Sequence, residues 1–552
     1  MSSEELLRQF DVMTEAPNGV QNLRDLILQL AVRGKLVPQD PTEEPASKLL
    51  ERARKEKLEL LRSGEARDRK LPPLKDDDLP YDLPCSWAWA RLDDIGRELK
   101  QKVPDRAFTY IDVSSIDSAR GAVSEAVQVL DAKDAPSRAR KLVRPGAVIY
   151  STVRPYLLNI AVIDRPFTPE PVVSTAFAVL DPLASVEARY LFYYLRSASF
   201  VEYVQREMTG MAYPAINDAK FFGGPVPVPP RDEQRRIVAK VNELLALCDR
   251  LEARQERRVE ARARLNRSLL HHLITAADDA GLAAHWQRLR ENFGLVYDTP
   301  EIVADLRRAV LQLAVRGMLV PQEPSDEPVI RLLGRIAAEK ERRSKMGRST
   351  RLDRLSPISP ISKDESPYVV PTGWEWVRFG EATINRDGER VPVSSEIREG
   401  RQGSYPYYGA SGVIDCIDEF LFDGTLLLIG EDGANLLLRS TPIAFFAHGR
   451  YWVNNHAHVV DGISTDLLRY VAIFINATDL APYVTGTAQP KLNQAKLNSI
   501  ALALPPEGEQ RRIVAKVDEL MALCDRLEEQ LTRTRQQAAR LAASVVHHLT
   551  AA

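Results

Sequence analysis

The sequence predicts an α+β fold with a pseudo-two-fold internal repeat: two similar α/β domains joined by two long antiparallel coiled-coil helices. A helical phrase, EQRRIVAKVNELLALCDRLE from Glu233, returns from Glu509 with 18 of 20 positions identical. A second phrase, LQLAVRGKLVPQ from Leu28, returns from Leu311 with one change. Between the phrases each half carries a long mixed block whose sequence differs from its counterpart. The chain is therefore an internal duplication.

Composition excludes several classes of protein. At 552 residues the chain is too long for a single hydrophobic core, and its 44% hydrophobic and 27% charged residues are typical of globular domains. The sequence contains no apolar run of the roughly 18 residues that span a bilayer and no signal peptide, so we expect a cytoplasmic protein without membrane contact. The net charge of −2 does not by itself indicate a nucleic-acid binder.

Each half opens with a helical segment. The first places four apolar residues at helical spacing, stops at Gly34, passes a Pro-rich turn and restarts as a charged helix. The second half repeats this plan from Leu306 to Arg343. A polar, Pro-rich linker follows each segment. The four apolar residues are Leu23, Leu26, Ile27 and Leu30.

A Trp-x-Trp segment follows each linker, at Trp87 and Trp89 and at Trp374 and Trp376. Alternate residues of a strand share one face, which predicts a buried first strand. The divergent blocks then combine β-rich runs such as GAVIYSTV and GTLLLIG with helical runs such as TDLLRYVAIFINATDL. We interpret them as two domains of one plan with different surfaces.

The long helices carry apolar residues at alternating spacings of four and three, which is typical of a coiled-coil seam. Each helix is on the order of 40 residues, or about 60 Å, and cannot bury such a stripe alone. Antiparallel pairing of the two helices would bury both seams. The predicted seam residues are Ile237, Val241, Leu244, Cys248 and Leu251, and Ile513, Val517, Leu520, Cys524 and Leu527.

These patterns divide the chain into six segments. They are an N-terminal helical segment and linker at 1–80, a first mixed domain at 81–230, a central long helix at 231–276, a helical repeat and linker at 277–368, a second mixed domain at 369–506, and a C-terminal long helix at 507–552.

The order of helix, Trp-x-Trp, variable domain, "TG...N..K......PP..EQRRIV" and long helix, given twice, resembles the specificity (S) subunit of type I restriction-modification enzymes. YPYYGASGVIDCIDEFLFDGTLLLIGEDGANL and YWVNNHAHVV look like phrases of that family's target recognition domains. The resemblance covers essentially the whole chain. It implies a restriction system in which each domain reads one half of a bipartite, asymmetric site in double-stranded DNA.

The resemblance also implies partners. The helices would dock two methyltransferase (M) subunits and, through them, restriction (R) subunits. We expect no catalytic residue and no cofactor in this chain, because it lacks a P-loop, the tetrapeptides of adenine-N6 methyltransferases and a G-x-G-x-x-G. S-adenosylmethionine, ATP and Mg²⁺ are expected in the partner subunits. Two alternatives stay open: a stand-alone DNA-modifying enzyme, or a coiled-coil adaptor that binds protein.

Candidate DNA-binding residues in the first domain lie in YSTVRPYLLN and in the TGMAYPAIND turn. Arg makes bidentate contacts to guanine, and Asn to adenine. A solvated strand connection and a purely structural turn are the alternatives. The candidates are Ser151, Arg154, Tyr156, Asn159, Tyr213, Asn217 and Lys220.

Candidates in the second domain lie in YPYYGASG, GEDGAN and TAQPKLNQAK. Its carboxylates could accept from cytosine N4, although a catalytic or metal-binding pair, or a solvated acidic turn, is also conceivable. His456 and His458 share one strand face, but the sequence offers no third ligand nearby, so we predict no metal. The candidates are Tyr407, Tyr408, Ser411, Glu431, Asp432, Asn435, Gln489, Lys491, Asn493 and Lys496.

Overall fold

A computed structural model describes residue 14 and residues 16–67, 69–75, 79–183, 186–210, 213–345, 361–362, 365–486 and 489–551. Residues 1–13 of the predicted N-terminal segment and residues 346–360 of the predicted second linker lie outside the described residues. The chain forms two compact units. The first combines Met1–Arg258 with Arg535–Ala552, and the second is Val259–Thr534.

The first unit follows the predicted order of helices, mixed domain and long helix. Its helices are α1 (Gly19–Val32), α2 (Ala46–Arg62), α3 (Leu92–Ile95), α4 (Ala188–Leu195), α5 (Ala198–Glu207), α6 (Asp218–Gly223) and the first part of α7 (Arg231–Ile274). Its strands are β1 (Ala88–Arg91), β2 (Gly96–Arg97), β3 (Phe108–Ile111), β4 (Ile116–Asp117), β5 (Ala122–Val123), β6 (Gln128–Leu130), β7 (Ala139–Leu142), β8 (Val148–Ser151), β9 (Ile160–Val162), β10 (Pro171–Ser174), β11 (Phe177–Pro182) and β12 (Pro225–Val228).

The second unit repeats this order. Its helices are the last part of α7, then α8 (Asp279–Glu291), α9 (Phe293–Val296), α10 (Val303–Val315), α11 (Val329–Lys345), α12 (Phe379–Ala382), α13 (Ser395–Glu399), α14 (Asn435–Leu438), α15 (Thr465–Ala477), α16 (Gln494–Ser499) and the first part of α17 (Glu507–Ala551). Its strands are β13 (Glu375–Arg378), β14 (Ile384–Asn385), β15 (Tyr405–Gly409), β16 (Gly412–Ile417), β17 (Phe422–Asp423), β18 (Leu426–Gly430), β19 (Ala444–Ala447), β20 (Arg450–Val453), β21 (Ala457–Asp461) and β22 (Ala501–Leu504).

The two mixed domains share a sheet plan although their sequences have diverged. One sheet has the order β6-β3-β10-β7 in the first unit and β16-β15-β20-β17 in the second, with a parallel pair at its centre in both. The other has the order β2-β11-β8-β9, extended by β5 and β4, and its counterpart is β14-β21-β18-β19. The predicted fold class, two similar mixed domains in an internal repeat, is therefore confirmed.

The helix that opens each half covers part of the predicted seam. In the first unit, α1 buries its apolar stripe in one core with Ile237, Val241 and Cys248 of α7. In the second, Val310 and Ala314 of α10 share a core with seam residues of α17. The seam prediction was incomplete, because it considered only the other long helix as a partner and left out the short apolar helix of the same half.

The long helices contribute to both units. The first unit holds the start of α7 and the end of α17, where Val545 joins the main core. The second unit holds the end of α7 and the start of α17, and there Leu270 and Leu273 share a cluster against which Leu527 packs. This composition is the one that an antiparallel pair of helices requires.

Three repeated residues join the opening segment, the Trp-x-Trp segment and the long helix. The buried Trp87 indole N–H donates to Glu233 Oε2 at 3.0 Å, and Gln39 Nε2 donates to the other oxygen at 2.5 Å. In the second unit, Trp374 Nε1 donates to Glu509 Oε2 at 2.9 Å. Burial raises the pKa of both Glu233 and Glu509. The first tryptophan of each pair thus anchors the long helix, while β1 and β13 start one residue later.

Among the helices in the described part of the chain, none is both long enough and apolar enough to cross a membrane.

Candidate nucleic-acid interface

Two loops meet at one place in each mixed domain. We call residues 152–159 and 431–443 the connecting loops, because they join β8 to β9 and β18 to β19. We call residues 209–217 and 485–493 the TG turns. The backbone N–H of Arg154 donates to the Pro214 carbonyl at 2.8 Å, and Gly433 N–H donates to the Pro490 carbonyl at 3.0 Å. The same backbone bond therefore joins the loops in both domains.

Each TG turn is closed by its own backbone. Thr209 and Ala215 exchange two hydrogen bonds of 2.9 Å, and Thr485 and Lys491 exchange bonds of 2.9 and 2.8 Å. The frame is the same and several of its residues are repeated, but the turns differ where Tyr213 and Ala215 of the first are replaced by Gln489 and Lys491 in the second. The structure describes neither residues 211–212 nor residues 487–488.

The matching asparagines begin short helices. Asn217 Oδ1 accepts from Lys220 N–H at 2.9 Å at the start of α6, and Asn493 Oδ1 accepts from Lys496 N–H at 2.9 Å at the start of α16. An Asn cap satisfies one of the unpaired N–H groups of a first helical turn. The geometry favours the structural interpretation of these two candidates, because the oxygen that would accept from a base is already in use.

Asn493→Ala should lower the free energy of unfolding by about 1 kcal/mol, because the cap is lost. Asn493→Asp should restore most of that stability, since a carboxylate oxygen caps equally well. Urea denaturation of the three proteins measures both changes. Equal stability of the Ala variant and the wild type would contradict the capping role and return Asn493 to the set of base-reading candidates.

In the first domain the two loops bring Arg154 and Tyr213 together. The guanidinium carbon of Arg154 lies 5.3 Å from the centre of the Tyr213 ring, which is 71% exposed. A cation beside an exposed aromatic ring suits contacts to a phosphate and to a base face. Tyr156 is also exposed on the connecting loop, and Asn159 is half-buried at its end.

Two other candidates of the first domain are already engaged. Ser151 is buried, and its hydroxyl donates to the Val153 carbonyl at 2.9 Å, which argues against the predicted contact of Ser151 with DNA. Lys220 Nζ donates to the Glu207 carbonyl and lies 3.1 Å from the Glu207 carboxylate. Lys220 Nζ would have to leave Glu207 before it could contact a phosphate.

The hairpin of the second domain presents one of its three candidates. Tyr407 is buried and its hydroxyl donates to the Val393 carbonyl at 3.2 Å, which argues against the predicted contact of Tyr407 with DNA. Tyr408 is half-buried, with its ring 5.5 Å from that of Tyr451. Ser411 is exposed at the turn between β15 and β16.

On the loops of the second domain, Asn435 is engaged by its own loop. Its amide donates to Thr441 Oγ1 at 2.9 Å, and its oxygen accepts from the Ser440 hydroxyl at 2.9 Å. By contrast, Gln489 and Lys496 are exposed. Together with Ser411, they are the polar candidates of this domain that are available to a base edge or a phosphate.

Glu431 lies in a network of charges that joins the two loops. Its carboxylate accepts from Arg390 at 2.8 Å and lies 3.2 Å from Lys491 Nζ. Its main-chain carbonyl accepts from Leu492 N–H at 2.7 Å. Asp432, next to it, lies 2.6 Å from His456 Nδ1. The charge of the largely buried Glu431 is balanced by Arg390 and Lys491, so this residue positions the loops. These contacts argue against a role for its carboxylate as an acceptor from cytosine.

The network continues into the interior through the fully buried His458. Its Nε2 donates to the Leu492 carbonyl at 2.7 Å, and its Nδ1 lies 2.6 Å from Asp387 Oδ2. Burial alone would raise the pKa of Asp387, but the hydrogen bond and charge of His458 and the charge of Arg390 lower it below its ordinary value. An ionised Asp387 therefore holds the start of β21 through His458 and the Val459 N–H.

Sequence reasoning missed Asp387 and Arg390. The only signal was the alternation of NNHAH, which turns His458 inward and requires a partner for it. Within the residues that the structure describes, no group of three His, Cys, Asp or Glu side chains could hold a metal ion. His456 and His458 are each paired with a different carboxylate.

Comparisons with known proteins agree with this architecture. The family described as "Type I restriction modification DNA specificity domain" matches residues 133–261 and 371–534, just over half of the chain. The chain is 29% identical over 553 residues to the type I restriction enzyme EcoAI specificity subunit of Escherichia coli, covering 95% of this chain and 92% of that protein.

The type I restriction enzyme EcoEI specificity subunit of Escherichia coli is similar at 29% identity over 564 residues, covering 95% of this chain and 93% of that protein. A solved structure described as "Structural basis underlying complex assembly and conformational transition of the type I R-M system" shares the fold, with a TM-score of 0.51 at 22% identity over 85% of this chain and 99% of that one. The family match falls on both halves of the duplicated plan, and the chain belongs to the type I restriction modification DNA specificity family.

Proposed function

We propose that this chain is the DNA-recognition subunit of a type I restriction-modification complex, in which each mixed domain reads one half of a bipartite, asymmetric site. One observation carries the proposal: the connecting loop and the TG turn are joined by the same backbone bonds in both domains but present different side chains. A shared frame with Arg154 and Tyr213 in one domain and Gln489 in the other suits two different half-sites.

The repeated parts of the chain suit a different role. The junctions of Gln39, Trp87 and Glu233 and of Gln322, Trp374 and Glu509 are built alike, so both halves offer the same scaffold. We propose that two methyltransferase subunits dock on these repeated helical parts and that restriction subunits join through them, in the cytoplasm. S-adenosylmethionine, ATP and Mg²⁺ then bind to the partner subunits, and this chain contributes no catalytic group.

The charges of the domains support a shared interface with DNA. Lys and Arg minus Asp and Glu give +1 for residues 85–230 and −5 for residues 374–506. A protein that neutralises phosphates by itself needs a basic face. We therefore expect this chain alone to bind DNA weakly, and its complex with methyltransferase subunits to bind tightly and with sequence specificity.

Exchange of residues 85–230 for the corresponding domain of a family relative should change one half of the methylated sequence and leave the other half unchanged. The matched variant exchanges residues 374–506 and should change only the other half. Methylation-aware sequencing of cells that express each chain with its methyltransferase subunits measures both. Methylation of the original sequence by either exchanged chain would overturn the proposed function.

A further inference from the structure

Both connecting loops contain a short helical turn that ends in a left-handed residue. In the first domain the turn is Pro155–Leu157, followed by Leu158 with φ +52°. In the second it is α14, Asn435–Leu438, followed by Arg439 with φ +55°. We call these two segments, 155–158 and 435–439, the tip turns. A short helical turn closed by a left-handed residue thus occurs at the same place in both domains, as a 3-10 turn in the first and an α-helical turn in the second, between strands whose sequences do not match.

Each tip turn presents two large apolar side chains to solvent. Tyr156 is 45% exposed and Leu157 51%, while Leu437 is 49% exposed and Leu438 74%. In both domains the pair lies directly before the left-handed residue. Paired exposed apolar residues at a repeated position indicate a contact with another molecule, whereas single ones are common on protein surfaces.

The second tip turn is held rigidly. Asn435 bonds to Thr441 on the far side of the loop, at 2.9 Å. The guanidinium of Arg439 donates to the main-chain carbonyls of Ile475, at 3.3 Å, and Thr478. The exposed leucines therefore project from a fixed base, and the loop cannot fold them back into the core without breaking these bonds.

Backbone strain is concentrated in the same loops. Of the residues that the structure describes, four other than glycine have positive φ, and three of them are Arg154, Leu158 and Arg439. Large side chains in the left-handed region are strained, and such strain clusters at functional sites. Its presence in both connecting loops favours a role for the tip shape itself.

We propose that each tip turn is an apolar wedge that inserts between two stacked base pairs of its half-site and opens that step. The proposal rests on the proposed function and adds a deformation of the DNA to it. Apolar side chains that enter a duplex unstack a base step and bend the helix, which lets more of the protein reach the DNA. Sequence preference then arises at a step that no polar group contacts, because steps differ in how easily they open.

The observations favour DNA over protein as the partner. A subunit that docks twice in the same way needs the same residues twice, whereas the tip turns share apolar character and one leucine, Leu157 or Leu438, and differ in their other residues. In the first domain, Arg154 and the exposed Tyr213 ring lie beside the tip turn, a combination suited to phosphate and base. The repeated residues lie instead in the helical scaffold and in the frame of the TG turns.

The test uses the complex of the full chain with its methyltransferase subunits and a duplex that contains the methylated site. 2-Aminopurine is placed in turn at each purine of the half-site read by the second domain. The methylated adenine is left out, because extrusion of that base would also raise the fluorescence. Leu438→Ala is compared with wild type, and Val369→Ala, which removes a side chain 94% exposed in the segment before β13, is the control.

With wild type and Val369→Ala, fluorescence should rise at one step. With Leu438→Ala the rise should disappear and binding should weaken about tenfold, the factor expected when the burial of one leucine is lost, while the assembly of the subunits is unchanged. Specific binding by wild type without a rise at any step would overturn the wedge and leave the proposed function standing. Loss of subunit assembly by Leu438→Ala would make the tip turn a protein contact instead. Binding without sequence preference would overturn the proposed function itself.

Discussion

Asp387→Ala is expected to lower the free energy of unfolding of the second unit by about 3–5 kcal/mol, because it leaves His458 without its buried carboxylate partner. His458 is fully buried and its Nδ1 lies 2.6 Å from Asp387, while Val459 N–H, which donates to Asp387 Oδ1 at 2.8 Å, would lose its acceptor. Urea denaturation gives the loss, and hydrogen exchange read by mass spectrometry should confine it to peptides of the second unit.

The matched control is Asp423→Ala. Asp423 pairs with Arg450 at 3.0 Å, but both side chains are more than half exposed, so the expected change is below about 1 kcal/mol. Losses of similar size in the two variants would contradict a special role for the buried pair.

The contribution of Asp387 should depend on pH. Its pKa is lower in the folded protein than in the unfolded chain, so the folded state favours the ionised form. The stabilisation is fully present above about pH 4 and is lost as the pH falls through the folded pKa, below that value. The stability difference between wild type and Asp387→Ala should therefore be constant near neutral pH and shrink in acid. A difference that persists unchanged at pH 2 would contradict this assignment.

Gly317→Ala is expected to destabilise the second unit by about 2–5 kcal/mol, from left-handed strain together with overpacking. Gly317 lies two residues after the end of α10 with φ +70°, and an added Cβ would lie 2.4 Å from Pro371 Cγ. Its counterpart Gly34 has φ +69°, and there the distance to Pro84 Cγ is 2.5 Å. Thermal or urea unfolding measures the loss.

Gly334→Ala is the control, because it makes the same chemical change in a helix with open space. An added Cβ at Gly334, within α11, meets nothing within 4 Å. Alanine is the better helix former by about 1 kcal/mol, so this variant should gain stability. The two substitutions are expected to change the free energy of unfolding in opposite directions. A gain in stability from both would show that position 317 does not require the left-handed conformation of glycine.

Local patterns predicted much of the fold. The spacing of Leu23, Leu26, Ile27 and Leu30 placed the buried face of α1, and runs such as GTLLLIG placed strands, because each pattern depends on neighbours in sequence. An apolar pattern does not identify the element that covers the buried face. The seam of α7 indicated that the helix buries a stripe, yet only the folded chain shows that α1 covers part of it.

The sequence also predicted where the candidate site lies, but not which of its side chains are exposed. Glycine, proline and aromatic residues located the connecting loops and the TG turns, and the structure brings each pair together. Residue type could not tell that Ser151 and Tyr407 face the interior, because the two faces of a strand are distinguished only by what packs on them. The contact of Asp387 with His458 spans 71 residues, a separation about which sequence periodicity is silent.

Residues from both ends of the chain complete the core of the first unit. Val545 packs in a core otherwise formed by residues before position 259, and this fixes an order of events in the cell. The ribosome releases those earlier residues roughly 15–60 seconds before residue 545 emerges, at synthesis rates of about 5–20 residues per second. During that interval the apolar surface that Val545 covers is exposed on the growing polypeptide. A translation product truncated before residue 545 keeps this surface exposed. Both species are therefore expected to be bound by chaperones and attacked by proteases.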